Sequence, residues 1–154
     1  MTIEDDIAFL ERIPALRPLG APALRILAIG AESYRVEPGE VLFKAGESAD
    51  GAYIVQRGSF SLRPERSGEA DLIAGPGTLL GESALLAETR RPATATAREG
   101  STVLRIPRTL FLKMLEGYPD AAKRLREVIA ARADQWARDM ESVRAAFAPN
   151  GKPN

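Results

Sequence analysis

Residues Gly81 to Ala97 read GESALLAETRRPATATA. A glycine and an acid open the stretch, a short apolar run follows, two adjacent arginines come next, and a small/Thr alternation closes it. The run Glu82–Glu88 is long enough for about two helical turns. Its first amides, near Ser83 and Ala84, would lack carbonyl partners within the helix, and such amides attract anions, phosphate above all. Arginine complements them, because its planar fork grips two phosphate oxygens and keeps its charge where water is excluded. A carboxylate repels phosphate, so Glu82 makes sense if the ligand also offers hydroxyls, as a sugar does. The bland alternative is an ordinary helix-start acid followed by a solvated arginine pair.

The flanks are rich in turn signals. From Tyr34 onward, Pro38-Gly39, Gly46, Gly51, Gly58, Gly68, Gly75-Pro76-Gly77 and Gly81 separate short β-forming runs such as EVLFKA, AYIVQRG, SFSLRP and TVLRIP. That rhythm predicts a jelly-roll-like, mainly β body over 34–106. Residues 3–33 read as short helices broken at Pro14, Pro18 and Pro22, and helical spacing returns over 107–148, with a frayed tail at 149–154. Residues 1–148 are thus expected to form a single domain. In the last helix Leu125, Ile129, Arg132, Trp136, Met140, Val143 and Phe147 follow steps of 4, 3, 4, 4, 3 and 4. Such a stripe suits a partner helix, so residues 120–147 are a candidate homodimer surface, or else a cover for the domain's own core or its ligand.

Composition narrows the chemistry. The apolar fraction of 45% indicates a globular chain. Lysine plus arginine balance aspartate plus glutamate at 21 each, without the basic excess of a dedicated nucleic-acid binder. The sequence contains no cysteine and no histidine, which removes thiolate and imidazole catalysis and Cys/His zinc sites. With no visible nucleophile–base pair, metal cluster, signal peptide or membrane-length apolar run, a cytoplasmic non-enzyme without a resident cofactor is expected.

Gly81-Glu82-Ser83-Ala84-Leu85-Leu86 followed by Arg91-Pro92-Ala93-Thr94-Ala95 resembles the phosphate-binding cassette of the cyclic nucleotide-binding domain family. Pro38-Gly39-Glu40-Val41-Leu42-Phe43, Gly46-Glu47, Tyr53-Ile54-Val55 and Gly58 resemble that family's early strands and turns. The resemblance implies a stand-alone regulatory domain. Gly81 would open the cassette, Glu82 would accept from the ribose 2′-hydroxyl, and Arg91 would pair with the cyclic phosphate. Amides near Ser83 and Ala84 would add donors, and Ala93 and Ala95 would face inward, with Thr94 and Thr96 on the other side. Arg90 would be solvated, and Arg132 or Trp136 would cap the base.

Pro92 departs from the family pattern, since that position commonly supplies an N–H to the phosphate and a threonine there favours guanine. Proline has neither group, so affinity is expected to fall about 10- to 100-fold and cAMP to be favoured over cGMP. The resemblance implies signalling through the terminal helix to a separate effector protein, without nucleic-acid or membrane partners. The alternative is a degenerate fold serving as a ligand-independent interaction module.

Overall fold

The computed structural model describes residues 2–65, 70–128 and 130–131. Helix α1 (Ile3–Glu11) starts at a capping box, where Thr2 Oγ1 accepts from Asp5 N at 3.1 Å and the Asp5 carboxylate accepts from Thr2 N at 3.2 Å. A 3₁₀ turn (Arg17–Leu19) and helix α2 (Ala21–Gly30) follow, with Pro22 in the first turn of α2, where its missing N–H is harmless.

Ten short strands come next. They are β1 (Glu32–Val36), β2 (Val41–Phe43), β3 (Ser48–Ala49), β4 (Gly51–Arg57), β5 (Phe60–Pro64), β6 (Leu72–Ala74), β7 (Leu79–Leu80), β8 (Thr89–Arg90), β9 (Ala93–Ala97) and β10 (Ser101–Pro107). The first strand begins at Glu32, slightly before the expected break at Tyr34. Pairing is antiparallel throughout, in the orders β1-β10-β4-β7 and β2-β9-β5-β6, with β3 and β8 forming a separate ribbon. The described residues continue through α3 (Arg108–Gly117) and a helix that begins at residue 119.

Strand periodicity divides the interior into two cores. On β4, Ala52 and Ile54 point under the helices, while Val55 and Tyr53 point into the roll; on β10, Leu104 and Ile106 serve the helices and Val103 the roll. The roll core gathers Val36, Phe60, Leu80, Ala95 and Ala97 around Val55 and Val103. The helical core gathers Leu10, Leu24, Leu27, Phe111, Met114 and Leu125.

Gly58 joins β4 to β5 at φ +85°, and a Cβ there would strike the Ser101 hydroxyl and lie 2.8 Å from Ser101 Cα. Gly58→Ala is therefore expected to destabilise the protein by at least about 2 kcal/mol. Urea unfolding should show a lowered midpoint with an unchanged slope.

Candidate functional site

The cassette begins where β7 ends. Gly81 adopts the left-handed conformation (φ 83°, ψ 38°) and turns the chain into a 3₁₀ helix over Glu82–Leu85. The two-turn α-helix expected over 82–88 does not form. Ala84 N–H instead donates to Gly81 O at 3.0 Å, and the amides of Leu86 and Ala87 both reach Ser83 O at 3.3 Å. Ala84 and Leu85 are buried, so core packing sets the shape of this short turn. Hence the Ala84 amide, expected as a phosphate donor, is occupied.

Arg91 is held by its backbone first: its N–H donates to Glu47 O at 2.8 Å and its carbonyl accepts from Gly46 N at 2.8 Å. The adjacent β8–β3 pairing fixes the same register. Its side chain runs into the roll and is only 4% exposed. The guanidinium carbon lies 4.5 Å from the Phe43 ring centre and 5.5 Å from that of Tyr53, and the two rings stack 5.9 Å apart. Cation–π attraction to two rings offsets part of the desolvation. Burial still pushes the guanidinium below its ordinary pKa, against the opposing influence of Tyr53, Asp50 and Glu47. Arginine stays charged nonetheless. Nη1 is buried and has no hydrogen-bond partner among the described residues. A Cβ at Gly81 would collide with Nη1, so the absence of a side chain there makes room for the guanidinium. A buried charged donor lacking an acceptor is a place for an anion.

Beside this pair opens a cavity of about 630 Å³. Gly81, Glu82, Ser83 and Pro92 line its cassette side, and Leu79, Leu85, Leu86, Phe111 and Leu125 give it an apolar wall. Glu82 and Ser83 are exposed there, and Gly81 belongs both to this wall and to the contact with Arg91. Arg91, Ala84 and Ala93 are not on the wall. Pro92 is exposed, and its carbonyl accepts from Glu65 N at 3.2 Å. Ala95 and Ala97 are buried in the roll, while Ala93, Thr94 and Thr96 are half-buried. Thr94 turns its hydroxyl to Ala45 N at 2.9 Å. Arg90 is exposed, yet it is more than a solvated cation, since its Nη1 donates to Gly46 O at 2.9 Å. The proposed base caps Arg132 and Trp136, most of the 120–147 stripe and the 149–154 tail lie outside the described residues.

Sequence reasoning gave no role to Phe43, Tyr53 or Arg108. The first two stand in quoted strand motifs, and facing aromatics on two strands become visible only once the strands are paired. Arg108 Nη1 donates to the carbonyls of Ala49, Ala84 and Ala87 at 3.0, 3.2 and 3.0 Å, a contact without any local sequence signal.

Residues 34–118 match the family described as the cyclic nucleotide-binding domain, and the chain belongs to that family. A cyclic nucleotide-binding-like protein from Brucella abortus is 38% identical, with a TM-score of 0.65 over 73% of this chain and 98% of that one. The N-terminal domain of a transcriptional regulator from Streptomyces coelicolor has a TM-score of 0.78 at 24% identity, over 86% and 94% of the two chains, a likeness of fold alone. Among curated relatives, the cAMP-dependent protein kinase regulatory subunit of Yarrowia lipolytica is 33% identical over 109 residues, which are 70% of this chain and 28% of that protein. Lysophospholipase NTE1 of Pyricularia oryzae is also 33% identical over 104 residues, 66% of this chain and 7% of the enzyme. This chain therefore spans only a small part of the length of those relatives. Among the described residues no helix is long and apolar enough to cross a membrane, and no acidic group clusters as a metal site.

Arg91→Met removes the unpaired charge and keeps an apolar stem against Phe43 and Tyr53. It is expected to stabilise the ligand-free protein by about 1–3 kcal/mol. A raised urea midpoint would show this, and a lowered one would show that the ring contacts outweigh the desolvation.

Proposed function

We propose that this chain is a cyclic-nucleotide sensor that prefers cAMP. The unpartnered Nη1 of Arg91, buried in the cassette beside Gly81, carries the reading. Arg91 would hold the cyclic phosphate with help from the Ser83 amide, and Glu82 would take the ribose hydroxyl. The apolar wall from Leu79 to Leu125 would receive the base. Pro92 offers no hydroxyl for guanine, and the Yarrowia relative's name supports cAMP. Arg91 is buried, so access of a phosphate to it would require the turn or the guanidinium to move. Binding energy that favours the moved state would shift the helices and signal to a separate effector.

A second reading is a ligand-independent interaction module. The Phe43–Tyr53 shelf already holds the guanidinium, the Ala84 amide is occupied, and Pro92 supplies no donor.

Calorimetric titration with cAMP and cGMP separates the two. The sensor reading expects heat with cAMP, weaker binding of cGMP, and a loss of affinity of at least about 100-fold in Arg91→Ala. Absence of heat from the wild-type chain at millimolar ligand would favour the interaction module.

A further inference from the structure

The guanidinium of Arg91 lies inside the roll and off the wall of the cavity beside it, with the bare backbone of Gly81 between the two. Phe43 in β2 and Tyr53 in β4 come from opposite sheets, and their rings stack with an interplanar angle of 26°. The pair bridges the roll and offers its faces to the cation, at 4.5 Å from the Phe43 centre and 5.5 Å from the Tyr53 centre. Asp50 and Glu47 favour the charged form in the same place. Such ring contacts strengthen as water is removed. A ligand in the cavity therefore meets an arginine that already has an occupation. Moving the turn toward that arginine would pull Leu80 from one core and Leu85 from the other. The guanidinium instead swings on the rotatable bonds of its own stem. Its departure from the rings lowers apparent affinity, because only the fraction of molecules with the cation released can bind.

We propose that Phe43 and Tyr53 are affinity-setting residues that hold the Arg91 guanidinium away from the cavity, so that an anionic ligand binds only by drawing it off the two rings. An anion can do so because it replaces the ring contacts with charge-assisted hydrogen bonds, and a neutral nucleoside cannot. The competition with a ligand rests on the cyclic-nucleotide reading above; the hold on the guanidinium does not.

Two measurements on the full chain test the two parts. In the ligand-free protein, the Nε–H proton of Arg91, assigned by its loss in Arg91→Met, should resonate upfield of that of the exposed Arg90, displaced by the ring faces. Phe43→Leu should move it most of the way back, and Tyr53→Leu less, since Tyr53 is the more distant ring. A signal unmoved in the folded ring variants would overturn the hold, and Tyr53→Leu decides alone should Phe43→Leu fail to fold. In calorimetric titration, Phe43→Leu is expected to bind cAMP about fivefold more tightly than wild type and Tyr53→Leu about twofold. Phe43→Tyr restores a ring and should restore wild-type affinity. Adenosine, which lacks the phosphate, should gain nothing in either leucine variant. Unchanged or weaker cAMP binding in the folded leucine variants would overturn the competition. An equal gain for adenosine would also overturn it, by showing that the lost ring merely enlarges the cavity. Absence of heat with cAMP in wild type and ring variants alike would refute the sensor reading, while the ligand-free spectra would still decide whether the rings hold Arg91.

Discussion

A guanidinium enclosed by a β roll, with one nitrogen lacking an acceptor among the described residues, is the constraint around which the other features are arranged. Leaving Nη1 of Arg91 unpaired is unfavourable, and the surrounding structure accepts that state through several compensations. Phe43 and Tyr53 supply ring faces, the backbone of Arg91 is clamped to Gly46 and Glu47, and Gly81 withholds a side chain. Each device suits the charge, and none satisfies the nitrogen. Local penalties of this kind, tolerated by an otherwise well-packed fold, gather at functional sites.

The cassette also lies on the seam between the two cores. Leu80, just before Gly81, belongs to the roll core, and Leu85, just after it, belongs to the helical core. The segment from Leu80 through the 3₁₀ turn to Leu85 therefore has one end in each packed body. Close-packed cores respond to a shift by changing arrangement rather than by deforming smoothly. The cavity opens at the same seam, with the turn on one side and Phe111 and Leu125 of the last two helices on the other. A small displacement at Gly81 is thereby placed where both bodies feel it.

Much of this was legible in the sequence. The even spacing of glycine and proline announced the short strands, and of the two alanines expected to face inward along ATATA, Ala95 is buried in the roll while Ala93 is half-buried. Arg91, chosen over Arg90 as the phosphate partner, is the buried member of the pair, and Arg90 is exposed. What was illegible depends on distant partners. Periodicity over SALLAE suggested an α-helix because it could not register that Ala84 and Leu85 would be drawn into the core by β4 and α3, tightening the turn to 3₁₀. The shelf of Phe43 and Tyr53 needs β2 and β4 to face each other across the roll. Arg108 looked like an unremarkable helix start, since its acceptors lie more than twenty residues upstream.

The central claim is that Arg91 Nη1 receives the phosphate of a cyclic nucleotide. Nitrogen-15 NMR of the arginine side chains, with Arg91 assigned by its absence from the Arg91→Met spectrum, observes that atom directly. A large shift of the Arg91 Nη signals on addition of cAMP, unmatched by Arg90 or Arg105, is the predicted result. Unchanged Arg91 signals under saturating cAMP would contradict the account.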